Sequence, residues 1–131
     1  MEIKKSVDIG KVYIKHSIMY VEHPIGSKIS LEQAKKGVEK RLEISNGLTY
    51  PMFVDATVVV NFEKDARKYL SSKEAIRGIS AGAFLVKNHI QKYLGQLWFK
   101  FSSKMDIPRK LFTDKEKALE WLSNYTPEKL N

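Results

Sequence analysis

Near the N-terminus, apolar and polar positions alternate along the chain. Residues 12–15 and 18–21 are rich in β-branched and aromatic side chains, with the period of two that is typical of strands. Only His16 and Ser17 separate the two runs. We therefore expect a tight antiparallel hairpin.

Further along, apolar residues recur at helical spacing. Ser30 and Gln33 stand in the spacing of a capping box, and Asn46-Gly47 is a typical helix end, which together predict a helix over 31–45. Asn61 is expected to cap a short helix over 63–70, and Ser71 to begin another.

Asn88 is expected to cap the longest amphipathic helix of the chain. The pattern predicts that the core face of this helix comprises Ile90, Leu94, Leu97 and Phe101, widened by Tyr93 and Trp98. A final helix is predicted to begin at Thr113, which has Glu116 three positions later, as in a capping box.

Between these helices lie three short apolar runs that predict strands, at 51–54, 81–86 and 111–112. Strands that alternate with helices favour parallel pairing through crossovers. The pattern therefore predicts a single α/β domain over 1–131, with its core at about 10–125. Its mixed sheet begins with the N-terminal antiparallel hairpin, continues with parallel strands, and is packed with helices.

Composition narrows the class of protein. The 131 residues include no cysteine, which excludes disulfides and thiolate chemistry. The longest run free of Asp, Glu, Lys and Arg is 44–54, too short to cross a bilayer. The N-terminus lacks the apolar stretch of a signal peptide. We expect a soluble cytoplasmic protein with no transmembrane segment.

The order of elements resembles that of the STAS-like superfamily, which includes the bacterial anti-sigma factor antagonists. The resemblance covers about 12–125. Within that superfamily, the chain more closely resembles a branch of small uncharacterised bacterial proteins. Four stretches carry it, of which the last is the most specific: 17–22, ending in YVE; YPMFVD at 50–55; ARKY at 66–69; and PRKLFTDKEKALEWL at 108–122.

One departure from the antagonists bears on mechanism. In those switches, an Asp-Ser pair stands after a strand at a helix start, and its serine is phosphorylated. The comparable place here is near Glu63-Lys64, and no serine or threonine occurs over 58–70. A phosphorylation switch at that position is therefore not expected.

Motifs that support catalysis are absent from the sequence. There is no phosphate-binding glycine loop, no dinucleotide fingerprint, no nucleophile elbow and no paired histidines at metal-ligand spacing. We expect no catalytic residue, no metal and no cofactor. Asp55, at the end of a predicted strand, is a candidate ligand contact, although an aspartate there more often turns the chain.

The net charge of +8 is concentrated in one segment, since residues 87–110 contain six of the cationic side chains and only one acidic residue. Interleaved aromatics make it a candidate surface for a partner or a nucleic acid, with a solvated helix face as the alternative. With Asp55, the candidate surface comprises Lys87, His89, Lys92, Trp98, Phe99, Lys100, Lys104 and Arg109.

Three functions remain open at this point. The leading hypothesis is a non-enzymatic regulatory or protein-interaction module, as a homodimer that presents a helix face to a protein partner. The second is a small-ligand or lipid carrier, which the lipid-binding relatives implied by the resemblance suggest. The third is nucleic-acid binding through 87–110.

Overall fold

The computed structural model describes residues 10–101 and 106–130. In chain order its elements are β1 (Lys11–Lys15), β2 (Ile18–Glu22), β3 (Ser27–Ile29), α1 (Leu31–Ser45), β4 (Tyr50–Asp55), β5 (Val59–Phe62), α2 (Lys64–Leu70), β6 (Ile79–Leu85), α3 (His89–Phe101), β7 (Arg109–Phe112), α4 (Lys115–Leu122), a 3₁₀ turn (Ser123–Tyr125) and α5 (Pro127–Leu130).

The main sheet has five strands in the order β1-β2-β4-β6-β7. β1 and β2 pair antiparallel, and the other three pairs are parallel. This arrangement confirms the predicted mixed α/β sheet. A second sheet pairs β3 with β5 in parallel; β3 was not predicted, because glycine and proline precede it in 23–27.

Side chains alternate between the two faces of the main sheet. One face, which we call the α4 face, packs against α4 and is closely filled. Its buried cluster comprises Ile18, Tyr20, Phe53, Ala81, Ala83, Ala118 and Leu122. The opposite face, which we call the cavity face, lies beneath α1, α2 and α3.

Local signals account for several boundaries. The Ser30 side chain and the Gln33 side chain form the predicted reciprocal capping box of α1. Asn46 ends that helix with φ of 48°, in the left-handed region that asparagine tolerates. His16 and Ser17 have φ of 51° and 63°, so the hairpin turn lies where the pattern predicts it.

Three predicted helix starts were wrong. Asn61 does not cap α2, because it lies within β5 and Glu63 is the N-cap residue of that helix. α4 begins one residue later than expected, because the Asp114 carboxylate, and not the Thr113 hydroxyl, accepts the N–H groups of Glu116 and Lys117. No helix forms after Ser71: residues 71–78 are turns, in which Ser72 Oγ accepts the Ala75 N–H.

The predicted core face of α3 was wrong in part, and the Phe101 side chain lies outside what the structure describes. Ile90 and Leu94 are 74% and 59% exposed, whereas Trp98 and Phe99 turn toward the sheet. The physical reason is the close approach at Gly95, where a Cβ would lie 2.9 Å from Leu111 Cδ2. The glycine side of the helix therefore faces β7, and the most apolar stripe faces outward.

Candidate functional site

A cavity of about 90 Å³ lies between the cavity face of the sheet and helices α1, α2 and α3. Its walls are mainly apolar, and they combine residues from the sheet, from the second sheet and from α3. Among the described lining residues none is Asp or Glu, whereas three carry basic side chains. The walls include Val54, Phe62, Phe84, Trp98 and Phe99, and the basic groups are His23, Arg41 and Arg109.

The floor of the cavity is a row of three residues that are paired across neighbouring strands. Met52 of β4 pairs with Gly82 of β6, which pairs with Arg109 of β7. Gly82 contributes no side chain, so the centre of the row stays open. Above it, Gly37 of α1 also lines the cavity, and a Cβ there would meet no heavy atom within 4 Å.

Arg109 is fixed at one edge of this row. Its Nη2 donates to the Phe99 backbone oxygen at 2.6 Å, and its guanidinium carbon lies 4.7 Å from the centre of the Phe99 ring. Its Nη1 is buried and has no hydrogen-bond partner within the described residues. Burial lowers the pKa of the Arg109 guanidinium from its ordinary value.

His23 follows β2 and reaches the same cavity. Its ring meets Phe62 edge-on at 6.3 Å, and its Nδ1 is buried without a hydrogen-bond partner in the part of the chain that the structure describes. Burial lowers the pKa of His23, and the negative charge of Asp55 partly opposes that change. The site therefore favours the neutral imidazole.

Arg41 supplies a third basic group from α1. Its guanidinium donates to the Ala75 backbone oxygen and approaches Met52 Sδ at 3.7 Å, and the residue is only 6% exposed. Burial lowers its pKa to about 10. Because a carbonyl and a thioether carry no charge, these contacts leave the cation of Arg41 unneutralised.

The α3 wall of the cavity is aromatic. Trp98 Nε1 donates to Ser71 Oγ at 3.3 Å, and the Trp98 ring lies 5.5 Å from that of Phe62. Phe99 meets Phe84 of β6 at 5.5 Å. Trp98 and Phe99 belonged to the candidate surface, although Trp98 was also predicted to widen the core face of the helix. Both are half-buried residues of the cavity wall.

The outer face of α3 carries apolar residues that the sequence pattern had assigned to the core. Ile90, Tyr93 and Leu94 are 74%, 60% and 59% exposed. The half-buried Leu97 continues their spacing of i, i+3, i+4 and i+7. We call these four residues the α3 stripe. Exposed His89 and Lys100 lie beside it at helical spacing.

The structure does not gather the predicted basic residues on one surface. Lys87 and Lys100 are exposed and Lys92 is half-buried, but Arg109 turns into the cavity. Lys104 lies outside the described residues, and so does the predicted end of α3 at 102–103.

Asp55 has a structural role in the turn that follows β4. Its carboxylate accepts the Thr57 backbone N–H at 3.0 Å and also the Thr57 hydroxyl, which is the geometry of a turn after a strand. Its charge still reaches His23.

The described residues contain neither a metal-binding cluster nor a membrane-spanning helix. Over 10–101 and 106–130, no group of three or more His, Cys, Asp or Glu side chains is placed to hold a metal ion. In the same residues, none of the helices has the length and apolar character needed to cross a bilayer.

Comparison with known proteins places the chain in a family. The model for a domain of unknown function, DUF7793, matches residues 12–126. The protein belongs to the DUF7793 family. No curated protein matches this DUF7793 chain.

The solved structures show the fold. An uncharacterised protein of the DUF3478 family from Shewanella loihica PV-4, described as having a SpoIIAA-like fold, is 16% identical with a TM-score of 0.66. The match covers 92% of this chain and 99% of that one. The DUF7793 chain thus has a SpoIIAA-like, and hence STAS-like, fold, as its sequence predicted.

A second match is an Arthrobacter sp. FB24 protein of unknown function, 19% identical, with a TM-score of 0.34 over 86% of this chain and 98% of that one.

Sequence reasoning missed three residues that shape the cavity. Arg41 is a cation at i+3 from Val38 on the apolar side of α1, and Gly37 is a glycine inside a helix; both are signals in the sequence. His23 is the third, and no local pattern in the sequence shows that Phe62 of β5 packs against it.

Proposed function

We propose that this DUF7793 protein is a non-enzymatic regulatory module that presents the outer face of α3 to a partner protein. The observation that carries the proposal is the α3 stripe, of which Ile90, Tyr93 and Leu94 are exposed. Apolar residues at i, i+3, i+4 and i+7 are the anchors with which an amphipathic helix fills a groove on another protein.

Charge indicates what kind of groove fits. The sequence of α3 contains no acidic residue, and His89 and Lys100 lie beside the stripe. A groove with an acidic rim would complement these groups. A symmetric pairing of two α3 helices would instead bring two basic surfaces together, so a different protein is the favoured occupant. The homodimer remains a prediction for another surface.

The absence of enzymatic activity is part of this proposal and rests on the sequence, which contains none of the catalytic motifs considered. The regulatory role rests on the likeness of the fold to STAS-like proteins. A cytoplasmic location remains a prediction from the sequence.

Photo-crosslinking in cells tests the proposal directly. A photoreactive phenylalanine derivative replaces Tyr93 in one sample and Leu48, an exposed apolar residue between α1 and β4, in the control. We expect a crosslinked protein from position 93 only, and we expect Leu94→Ser to abolish it. Mass spectrometry of the product identifies the partner.

Several outcomes would contradict the proposal. Equal crosslinking from both positions would show that the contact is non-specific. A product made only of two copies of this chain would show a homodimer through α3, and a lipid adduct would show a membrane contact. Crosslinking that survives Leu94→Ser would place the contact outside the stripe.

The other two hypotheses have different support. The cavity beneath α3 favours ligand binding. The candidate surface for nucleic-acid binding in 87–110 lacks Arg109 and Phe99, since both face the cavity. It remains a prediction that a filter-binding titration at low salt would test.

A further inference from the structure

We infer that the cavity beneath α3 is a binding site for a small monocarboxylate with an apolar chain. The site is independent of the proposed α3 contact, because it lies on the opposite side of that helix. Three features point to this class of ligand: the volume and apolar walls of the cavity, the unpartnered polar atoms at its edges, and the sign of its charges.

The volume and walls suit an apolar chain. The cavity of about 90 Å³ is several times the 10–15 Å³ or so that one water requires. Val54, Phe84 and Trp98 are among its walls. Protein interiors are normally close-packed, so open space with apolar walls indicates room for a ligand.

Arg109 is placed to hold the carboxylate. One of its terminal nitrogens is already fixed on the Phe99 backbone oxygen, which sets the orientation of the guanidinium. The other, Nη1, is buried and lacks a partner within the described residues. Buried donors are normally satisfied, and a carboxylate oxygen would satisfy this one with a charge-assisted hydrogen bond.

The charges select an anion. Arg41 and Arg109 approach the row of Met52 and Gly82 from two sides. The Arg41 guanidinium contacts the sulfur of Met52. Arg109 is the strand-pairing neighbour of Gly82. No acidic side chain is among the described residues of the lining. An amine would meet two cations there, whereas a carboxylate would neutralise part of their charge.

Two glycines keep the space open. Gly82 leaves the floor without a side chain, and Gly37 leaves the roof without one at a cost in helix propensity. Because a Cβ at Gly37 would meet nothing within 4 Å, the glycine is not required by a close contact. A leucine at Gly37 is therefore a means of filling the cavity.

Calorimetric titration tests the inference. The purified full chain, freed of bound material on a hydrophobic resin, is titrated with butanoate, butanol and butylamine, whose short chains suit the volume of the cavity. We expect butanoate to bind at least about tenfold more tightly than butylamine. Arg109→Gln should weaken butanoate binding by at least about tenfold and leave butanol binding unchanged. Lys110→Gln, the same loss of charge at the exposed neighbour, should change neither.

Gly37→Leu is the second arm. We expect it to abolish binding of both butanoate and butanol while the circular dichroism spectrum shows a folded protein. Butanoate binding retained by folded Gly37→Leu would place the ligand elsewhere. Equal affinity for butanoate and butylamine, an equal effect of Arg109→Gln and Lys110→Gln, or no butanoate binding at millimolar concentration would each overturn the inference. None of these results depends on crosslinking at Tyr93.

Discussion

The two faces of the same sheet are built differently. On the α4 face, alanines of β6 meet α4 directly, and Leu122 and Ala118 have no exposed surface. On the cavity face, larger side chains and three helices leave a volume of about 90 Å³. The α4 face has the close packing of an ordinary core, and the cavity face does not.

The two faces also differ in the polar groups that they bury. The buried cluster of the α4 face contains no charged residue. The cavity face holds two arginines and a histidine, and two of their nitrogens lack partners within the described residues. A protein under selection for stability alone would satisfy or remove such groups. The α4 face therefore has the features of a stabilising core, whereas the cavity face has the open space and the unpartnered groups on which the inferred ligand site rests.

The largest expected effect is the loss of a large side chain from the α4 face. Leu122→Ala should lower the free energy of unfolding by about 2–5 kcal/mol, because the side chain is fully buried and its neighbours are tightly packed. Urea denaturation followed by circular dichroism measures it. The matched control is Leu70→Ala, a half-buried leucine beside the cavity, for which we expect less than half that loss. Equal losses would remove the distinction between the faces.

Substitutions that add side-chain volume should lower the free energy of unfolding on the α4 face but not on the cavity face. Ala83→Leu inserts atoms where the structure leaves no exposed surface, and should cost about 1–3 kcal/mol. Gly37→Leu should leave the free energy of unfolding unchanged or higher, since it meets open space and improves helix propensity. Thermal unfolding of both variants checks this pair. A destabilised Gly37→Leu would show that the cavity face cannot accept added volume.

The contrast also explains what the sequence could and could not predict. The hairpin, α1 with its Ser30 capping box, and the mixed sheet follow from local periodicity and caps, which act within a few residues. The orientation of α3 does not, because Ile90 and Leu94 form the more regular apolar stripe, whereas the approach to Leu111 at Gly95 decides the packing. The cavity arises between elements distant in sequence, so no single segment predicts it.

A pH titration examines the cavity face through His23. Burial lowers the folded-state pKa of this histidine below its ordinary value of 6.5, with Asp55 opposing in part. The unfolded chain therefore takes up a proton first as the pH falls. We expect the free energy of unfolding to be fully retained above about pH 6.5 and to decrease below it, by at most about 1.4 kcal/mol per pH unit from this group.

The control for that titration is His23→Gln, which removes the titrating group. The difference between wild type and variant should be constant above about pH 6.5 and should change below it. A difference that stays constant down to pH 4.5 or so would show that His23 titrates alike in the folded and unfolded chains, contrary to its burial.

The smallest expected effect is that of Gly37→Ala, and it isolates the cost of keeping the cavity open. An alanine inside a helix is favoured over glycine by about 1 kcal/mol, and its Cβ would meet no heavy atom within 4 Å. We expect an increase in the free energy of unfolding of about 0.5–1 kcal/mol, measured by urea denaturation. Gly47→Ala is the control: that glycine also has open space, but its φ of 86° disfavours alanine, so the substitution should destabilise. If both substitutions destabilise, the open volume at Gly37 is required for folding, and the glycine there serves the structure and not a ligand.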